Sequence, residues 1–250
     1  MAWRDVWFAD SPNRAAALAQ YRRRARFYDL ELALLEPVRR QAIALLALRP
    51  GDTVMDVGCG TGLSLPLLRG AVGDTGWVIG IEQSPPMFAL AQARVAQAGW
   101  RNVVLVNTPV ESLSTAIVKA ALRASGTGAQ AVKSPRASVT ATAALFHFTH
   151  DILRSQAALN QVTQLLAPGA RVVASGLKWA PLWAGPINLM VAAAAMHSVS
   201  SLQGLDKPWS ELERLVGPMR VRKLLGDGVY LASGSLSGSA RRVSTSGGVP

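Results

Sequence analysis

Thr53–Val54–Met55–Asp56–Val57–Gly58–Cys59–Gly60–Thr61–Gly62 is the stretch that decides how this chain folds. Its first five residues are apolar and β-prone around one acid. The strand they predict, Thr53–Val57, runs into glycines at alternate positions, and a helix is predicted next, over residues 63–68. Glycines at that spacing let backbone approach a ligand with no Cβ in the way. Open α/β sheets hold ligands there, at the carboxyl end of a strand. A dinucleotide fold spaces its glycines more widely, as G-x-G-x-x-G, and rests a pyrophosphate on the helix N-terminus. The spacing here is G-x-G-x-G, with Asp56 just upstream. A carboxylate at that point suits a ligand carrying an ammonium group better than one carrying two phosphates, which argues against a nicotinamide dehydrogenase.

Downstream, the turn Gly73–Asp74–Thr75–Gly76 leads to a second strand over residues 77–81 that ends at Glu82. Ser84 is placed to cap a helix whose first turn holds Pro85 and Pro86. Gly99 closes that helix, and residues 102–106 read as a third strand. Strand, helix, strand, helix, strand implies parallel strands with right-handed crossovers. Residues 117–124 read as a short helix, and residues 126–136, small, polar and basic, as an exposed connection. Residues 139–146 are strand-like, residues 151–166 read as one amphipathic helix, Pro168–Gly169 as a turn, and residues 171–175 as another strand. Ser210 and Glu213 have the spacing of a capping box for a helix ending at Val216. Residues 220–225 and 229–232 flank Gly226–Asp227–Gly228 as a hairpin.

Upstream, residues 14–30 carry Leu18, Tyr21, Ala25 and Tyr28 on one helical face, with Arg22, Arg23, Arg24 and Arg26 covering much of the rest. Pro37 opens a second helix, which ends near Leu48 before the turn Arg49–Pro50–Gly51–Asp52. From Ser235 the chain is rich in Ser and Gly without apolar periodicity, and disorder is expected there.

The loop Asp56–Val57–Gly58–Cys59–Gly60–Thr61–Gly62 resembles the signature loop of class I S-adenosylmethionine-dependent methyltransferases. Two further segments match that family in order. Gly76–Trp77–Val78–Ile79–Gly80–Ile81–Glu82–Gln83–Ser84–Pro85–Pro86–Met87 is similar to its second strand, with Glu82 where the family holds the ribose hydroxyls. Leu165–Leu166–Ala167–Pro168–Gly169–Ala170–Arg171–Val172–Val173 is similar to its turn into the fifth strand. The resemblance spans residues 49–175 and implies a Rossmann-like α/β fold: a seven-stranded sheet, helices on both faces and a C-terminal antiparallel hairpin. The domain would run over residues 1–234, with an N-terminal helical cap at 1–48, an acceptor cap at 177–208, and a tail at 235–250.

The implied cofactor is S-adenosylmethionine, with contacts from Asp56, Gly58, Cys59, Gly60, Gly62, Glu82, Gln83, Met87, Val110, Glu111, Phe146 and Tyr28, and no metal. Two departures stand out. Pro109 takes the place of the acid that contacts adenine in the family, leaving Glu111 or the Val110 backbone to substitute. Thr140, Ala141 and Thr142 stand where an acid is common near the fourth strand. Cys59 suits its place by size and gives no sign of being a nucleophile.

Methyl transfer mainly requires alignment of an acceptor with the methyl group, and a base only if the acceptor must lose a proton early. His147 and His150, after the fourth strand, are the candidates for that base, since histidine titrates near neutrality. The alternative is that one packs under the sheet or caps the following helix. Lys178–Trp179–Ala180–Pro181–Leu182–Trp183 and residues 187–197 form an apolar stretch too short and broken to span a membrane. It is either an acceptor cap, which implies an apolar acceptor, or a helix buried in the core. Phe27–Tyr28–Asp29 and Gly62–Leu63–Ser64–Leu65–Pro66 resemble segments of soluble lipid and quinone methyltransferases.

The chain has 250 residues, half of them hydrophobic, enough for a sizeable core. One cysteine excludes an internal disulfide framework and, with no signal-peptide pattern at the N-terminus, points to the cytoplasm. The net charge of +11 leaves three readings open: nucleic acid, an anionic membrane surface, or an Ala- and Arg-rich composition with no partner behind it. The leading expectation is methylation of a small apolar or amphiphilic acceptor such as a phospholipid, quinone or aromatic metabolite, with peripheral contact to an anionic membrane. RNA methylation and a non-catalytic binding role are the alternatives. Carbon-5 pyrimidine methylation needs a cysteine near the fourth strand, and amino-group base methylases carry an Asn- or Asp-Pro-Pro-aromatic motif there; this chain has Phe146–His147–Phe148–Thr149.

Overall fold

The computed structural model describes residues 35–124, 140–198 and 202–237, with side chains as far as 195 in the second stretch. The expected N-terminal helix with Tyr21 and Tyr28, the connection at 126–136 and most of the tail lie outside the described residues.

One seven-stranded sheet has the order β3-β2-β1-β4-β5-β7-β6. The strands are β1 (Thr53–Val57), β2 (Trp77–Glu82), β3 (Val103–Asn107), β4 (Ala141–His147), β5 (Leu166–Leu177), β6 (Arg220–Leu224) and β7 (Val229–Ser235). The first five pair in parallel, and β7 runs antiparallel between β5 and β6. The helices are α1 (Glu36–Leu45), α2 (Leu65–Val72), α3 (Pro85–Ala98), α4 (Thr115–Ala124), α5 (His150–Leu153), α6 (Gln156–Gln164), α7 (Gly185–Ser198) and α8 (Ser210–Val216).

The central strand β1 is buried along its whole length, as a parallel strand covered on both faces must be. Its alternate residues feed two separate cores. Met55 and Val57 join a cluster with Phe146, Leu159 and Tyr230 on one face. Val54 joins Ala42, Leu68 and Leu145 on the other. Asp56 is the exception, a carboxylate 1% exposed in the middle of the sheet. Gly80, opposite Asp56 on β2, has a steric reason to be glycine: a Cβ there would stand 2.7 Å from Leu105 and 3.1 Å from the Cys59 sulfur.

Local details depart from the sequence reading in four places. The helix expected over residues 151–166 is two helices, because Ser155 interrupts it and caps α6 by accepting the Ala158 N–H at 3.2 Å. Strand β5 starts at Leu166 and takes Pro168–Gly169 into itself: Leu166 pairs with Ala141, the register then shifts, and Arg171 pairs with Ala143. That is an irregularity within a strand, where a proline is tolerated. Ser84 precedes α3 but makes no side-chain cap; its N–H donates to Glu82 Oε1 at 2.7 Å. The capping box at Ser210 does not form, because Glu213 takes other partners, accepting the Met219 N–H at 3.1 Å and pairing with Lys207.

Helix α7 is not buried all round. Val191 and Ala195 face inward, against the hairpin turn and Leu205, while Leu189 and Met190 are 73% and 62% exposed. Ahead of it, Leu182 and Trp183 are 98% and 84% exposed. Among the described residues no helix is long and apolar enough to cross a membrane.

Candidate active site

The loop after β1 is folded back by its own backbone. The Gly58 and Cys59 N–H groups both donate to the Ile81 carbonyl, at 2.9 and 3.0 Å, and the Gly62 N–H closes a turn onto the Cys59 carbonyl at 2.9 Å. Gly58, Gly60 and Gly62 have φ of 76°, 57° and 83°, a conformation only glycine adopts without strain. Gly58 is also tightly packed, since a Cβ would stand 2.6 Å from Thr149 and 2.9 Å from Ile152.

Glu82 joins the loop to the end of β2. Its Oε2 accepts the Gly60 N–H at 2.9 Å and its Oε1 the Ser84 N–H at 2.7 Å. Burial pushes this carboxyl above its ordinary range, and the N–H groups of Ser84, Gly60 and Gln83 oppose that rise. Asn107 donates to the Glu82 carbonyl at 2.8 Å, which ties the end of β3 to the same corner.

A cleft of about 620 Å³ opens at this edge of the sheet. Gly58, Gly60, Ile81, Glu82, Gln83, Met87 and Val110 line one side, and residues 147–152 the other. A recess of about 340 Å³ continues from it between Arg39, Asp56, the loop residues 58–61, Leu63, Ser64, His147 and Phe148. Arg39 and Asp56 thus offer one cation and one carboxyl to a single recess. Arg39 is 2% exposed and pairs with Glu36 on its own helix.

Burial dominates the ionisation of these groups. It pushes Asp56 up to about 7, with Arg39 opposing and Glu82 adding to the rise. The Cys59 thiol is pushed well above its ordinary range, which removes it as a nucleophile. His147 is pushed down to about 3 by burial and by Arg39. Its Nε2 is buried without a partner, while Nδ1 lies 2.6 Å from Ser175 Oγ. His150 is lowered to about 4, chiefly by burial, and its Nε2 lies 2.9 Å from the Gln203 carbonyl. Asp56 Oδ2, Ser84 Oγ and Thr149 Oγ1 are likewise buried without partners. Unpartnered buried polar atoms are rare, and those of Arg39, Asp56, His147, Thr149 and His150 belong to residues lining the cleft or its recess.

Of the residues singled out in the sequence, Asp56, Gly58, Cys59, Gly60, Glu82, Gln83, Met87, Val110, His147 and His150 line the cleft or its recess. Gly62 stands behind, where a Cβ would strike Leu65 and Ala91. Phe146 is 0% exposed in the core, one residue short of the cleft. Glu111 is exposed and accepts from the Ser155 hydroxyl at 2.8 Å, away from the lining. Tyr28 lies outside the described residues. Thr142 bridges β1 and β4 through both backbone groups of Thr53, at the far end of β4 from the cleft. Sequence reasoning did not find Arg39, Phe148 or Thr149. Arg39 has no distinguishing signal beside Arg40, which is exposed one residue on.

Residues 37–109 match the family model described as protein-L-isoaspartate(D-aspartate) O-methyltransferase. A protein-L-isoaspartate O-methyltransferase of Fervidobacterium nodosum is 33% identical over 61 residues, 24% of this chain and 31% of that protein. A 23S rRNA (uracil(1939)-C(5))-methyltransferase of Acinetobacter baylyi is 40% identical over 78 residues, 31% of this chain and 17% of that protein. A nocamycin O-methyltransferase of Saccharothrix syringae and a demethylmenaquinone methyltransferase of Symbiobacterium thermophilum match over 78 and 70 residues. The chain thus spans a third or less of the length of these relatives. The solved structure of the N-methyltransferase NodS from Bradyrhizobium japonicum aligns over 81% of this chain and 96% of its own, with a TM-score of 0.52 and 12% identity. Strand order, glycine loop and the acid closing β2 agree with these matches: the chain has the fold of class I S-adenosylmethionine-dependent methyltransferases, and residues 37–109 carry the likeness to a methyltransferase family model.

Proposed function

We propose that the protein transfers a methyl group from S-adenosylmethionine to a small apolar or amphiphilic acceptor, of the phospholipid, quinone or aromatic-metabolite kind. The observation that carries this is the gathering of unpartnered buried polar atoms around the glycine loop. They fit the cofactor part by part. Glu82 suits the ribose hydroxyls, Met87 and Val110 suit the adenine faces, and the Arg39–Asp56 recess suits an amino acid with one carboxylate and one ammonium group. Bound there, the cofactor supplies a sulfonium methyl group that an acceptor lone pair takes while the electron pair stays on sulfur and the acceptor proton leaves. The chain's own contribution is alignment and exclusion of water. His147, held at Nδ1 by Ser175, lines the cleft as a neutral hydrogen-bonding group.

An apolar acceptor is supported by the segment that follows β5. Trp179 to Leu205 contains no Asp, Glu, Lys or Arg, and Leu182, Trp183, Leu189 and Met190 stand exposed within it. A cytoplasmic protein touching an anionic bilayer through that surface accords with the charge of +11. The charge and the rRNA relative favour a second reading, RNA methylation. Its carbon-5 form lacks a nucleophile, because the chain's one cysteine, Cys59, is buried in the cofactor loop.

The test is calorimetric titration with S-adenosylmethionine and S-adenosylhomocysteine, followed by transfer from tritiated cofactor to lipid vesicles, quinols, phenols and total RNA. Micromolar binding of both, with label passing to an organic extract, is expected. Failure to bind either would sink the reading, and label confined to RNA would put the second reading first.

A further inference from the structure

Two histidines line the cofactor cleft, and their partners differ in what they reveal. His147 Nδ1 lies beside the Ser175 hydroxyl, which can donate or accept, so that contact fixes no proton. His150 Nε2 lies 2.9 Å from the Gln203 carbonyl, which can only accept. The proton of the neutral His150 ring is therefore on Nε2, and Nδ1 carries a free lone pair. That nitrogen is buried without a partner, in a residue 7% exposed. A buried acceptor left empty is costly, and the bond to Gln203 alone does not call for one.

The carbonyl that sets this proton is itself held from both sides. The Gln203 side chain accepts from Arg154 Nη2 at 2.9 Å, and the Trp179 N–H donates to the Leu205 carbonyl at 2.9 Å. Between them Gly204, at φ 75°, passes close to the ring: a Cβ there would stand 3.9 Å from His150 Cε1 and 3.6 Å from Arg154. His150 opens α5 directly after Thr149, whose methyl group packs where Gly58 of the cofactor loop has no Cβ. One edge of the imidazole is thus fixed by residues 203–205, and the residue beside it touches the cofactor loop.

We propose that His150 Nδ1 takes the proton of the methyl acceptor, so that the methylated atom is an oxygen or nitrogen carrying hydrogen. The inference rests on the methyltransferase reading and narrows its acceptor class. In the step, a lone pair of the acceptor atom forms the bond to the methyl carbon, and the carbon–sulfur bond breaks with its pair left on sulfur. The acceptor O–H or N–H bond breaks as well: its proton passes to Nδ1 and its pair stays on the acceptor atom. His150 leaves the step as an imidazolium whose Nε2–H still donates to the Gln203 carbonyl. That bond favours the charged ring, against burial and the Arg154 cation. A tertiary amine or a thioether has no hydrogen on its reacting atom and offers this nitrogen no donor, which leaves a buried polar group unpaired.

Nitrogen-15 NMR of the full chain, labelled at histidine, reads the proton directly. In the free protein near neutral pH, His150 should show an unprotonated Nδ1 and a protonated Nε2. His150→Gln keeps a side-chain N–H for the Gln203 carbonyl and removes the lone pair. It should lower methyl transfer about a hundredfold, while melting stays at the parental temperature and S-adenosylhomocysteine affinity within about twofold. The transferred label, traced in the products from lipid vesicles, quinols, phenols and total RNA, should sit on oxygen or nitrogen. A parent protein that fails to bind S-adenosylhomocysteine would sink the methyltransferase reading, and the NMR spectrum would still decide where the proton sits. With the cofactor bound, this inference falls alone if Nδ1 carries the proton, if folded His150→Gln transfers at the parental rate, or if the label sits on carbon or sulfur.

Discussion

Affinity for S-adenosylhomocysteine should rise with pH up to about 8, and Asp56 should be the cause. Its carboxyl, ordinarily titrating at 3.8, is pushed up to about 7 by burial in the sheet. In the free protein at mildly acidic pH it is therefore protonated, and an ammonium group in the Arg39–Asp56 recess favours the ionised form. Binding must then expel the proton, which weakens affinity tenfold for each pH unit below the folded value. At about pH 5.5 the ligand should bind about thirtyfold more weakly than at about pH 8, a difference of about 2 kcal/mol.

The same group has the opposite effect on the stability of the free protein. Because its folded value is raised, the folded state holds the proton more tightly than the unfolded chain. That contribution is fully present below about pH 3.8 and is lost as pH rises through about 7. Its size is on the order of 4 kcal/mol. Calorimetry in two buffers of different ionisation enthalpy reads the coupling directly, with close to one proton released per ligand at acidic pH. His147 and His150, lowered to about 3 and about 4, stay neutral across this window and do not blur it. Asp56→Asn should flatten both the affinity profile and the proton release. A flat profile in the parent protein, or a slope that survives in Asp56→Asn and vanishes in Glu82→Gln, would refute the assignment.

Glu82→Ala removes a carboxylate that braces Gly60 and faces the cleft; one or two lost charge-assisted hydrogen bonds should weaken S-adenosylhomocysteine about a hundredfold, measured by calorimetry above pH 8. Wild-type affinity in a folded variant would remove Glu82 from the site. The two histidines should separate by role. His147→Asn should lower methyl transfer with little change in melting temperature, whereas His150→Asn, which loses the bond to the Gln203 carbonyl, should lower melting by several degrees, on the order of 1 kcal/mol. Equal effects on both readouts would show that neither has a distinct task. Leu182→Asp with Trp183→Asp should abolish co-sedimentation with phosphatidylglycerol vesicles while leaving cofactor affinity unchanged, because neither residue touches the cleft. Undiminished sedimentation would assign membrane contact to another surface or to none.

How far the sequence reached depends on whether its signals were local. Strand β1 came out residue for residue, because five β-prone residues ended in a glycine cluster that admits no other continuation. Glu82 was legible because strand and helix signals bracket it closely. Capping was misread at Ser84 and Ser210, where the spacing was right but a nearby acid took a different partner. Glu111 stands outside the cleft lining with a partner of its own: Ser155, 44 positions along the chain, donates to its carboxylate, and no local pattern announces that. Arg39 and Phe148 are the instructive omissions. One is an arginine among arginines on α1 and the other an aromatic after a strand. What sets each apart, a buried charge and a left-handed backbone, arises only from tertiary packing.

Burial also explains why these particular residues make one site. It moves Asp56 and Cys59 toward their neutral acid forms and both histidines toward their neutral base forms, so these four groups add little charge to the free cleft at mildly acidic pH. Arg39 is the fixed cation at the recess, already paired with Glu36 on its own helix. A zwitterionic cofactor with an added sulfonium charge then meets an Asp56 carboxyl that can ionise to match it and histidines that stay neutral and do not repel it. A pair of solvated carboxylates would attract the same cation with a weaker field, since water screens exposed charges. Asp56→Glu separates these two accounts. It keeps the charge but forces a longer carboxylate into a fully packed strand, toward the recess. If the field alone mattered, affinity would survive; if the buried, poised position matters, affinity should fall about tenfold and the pH dependence should shift toward the ordinary carboxylate range.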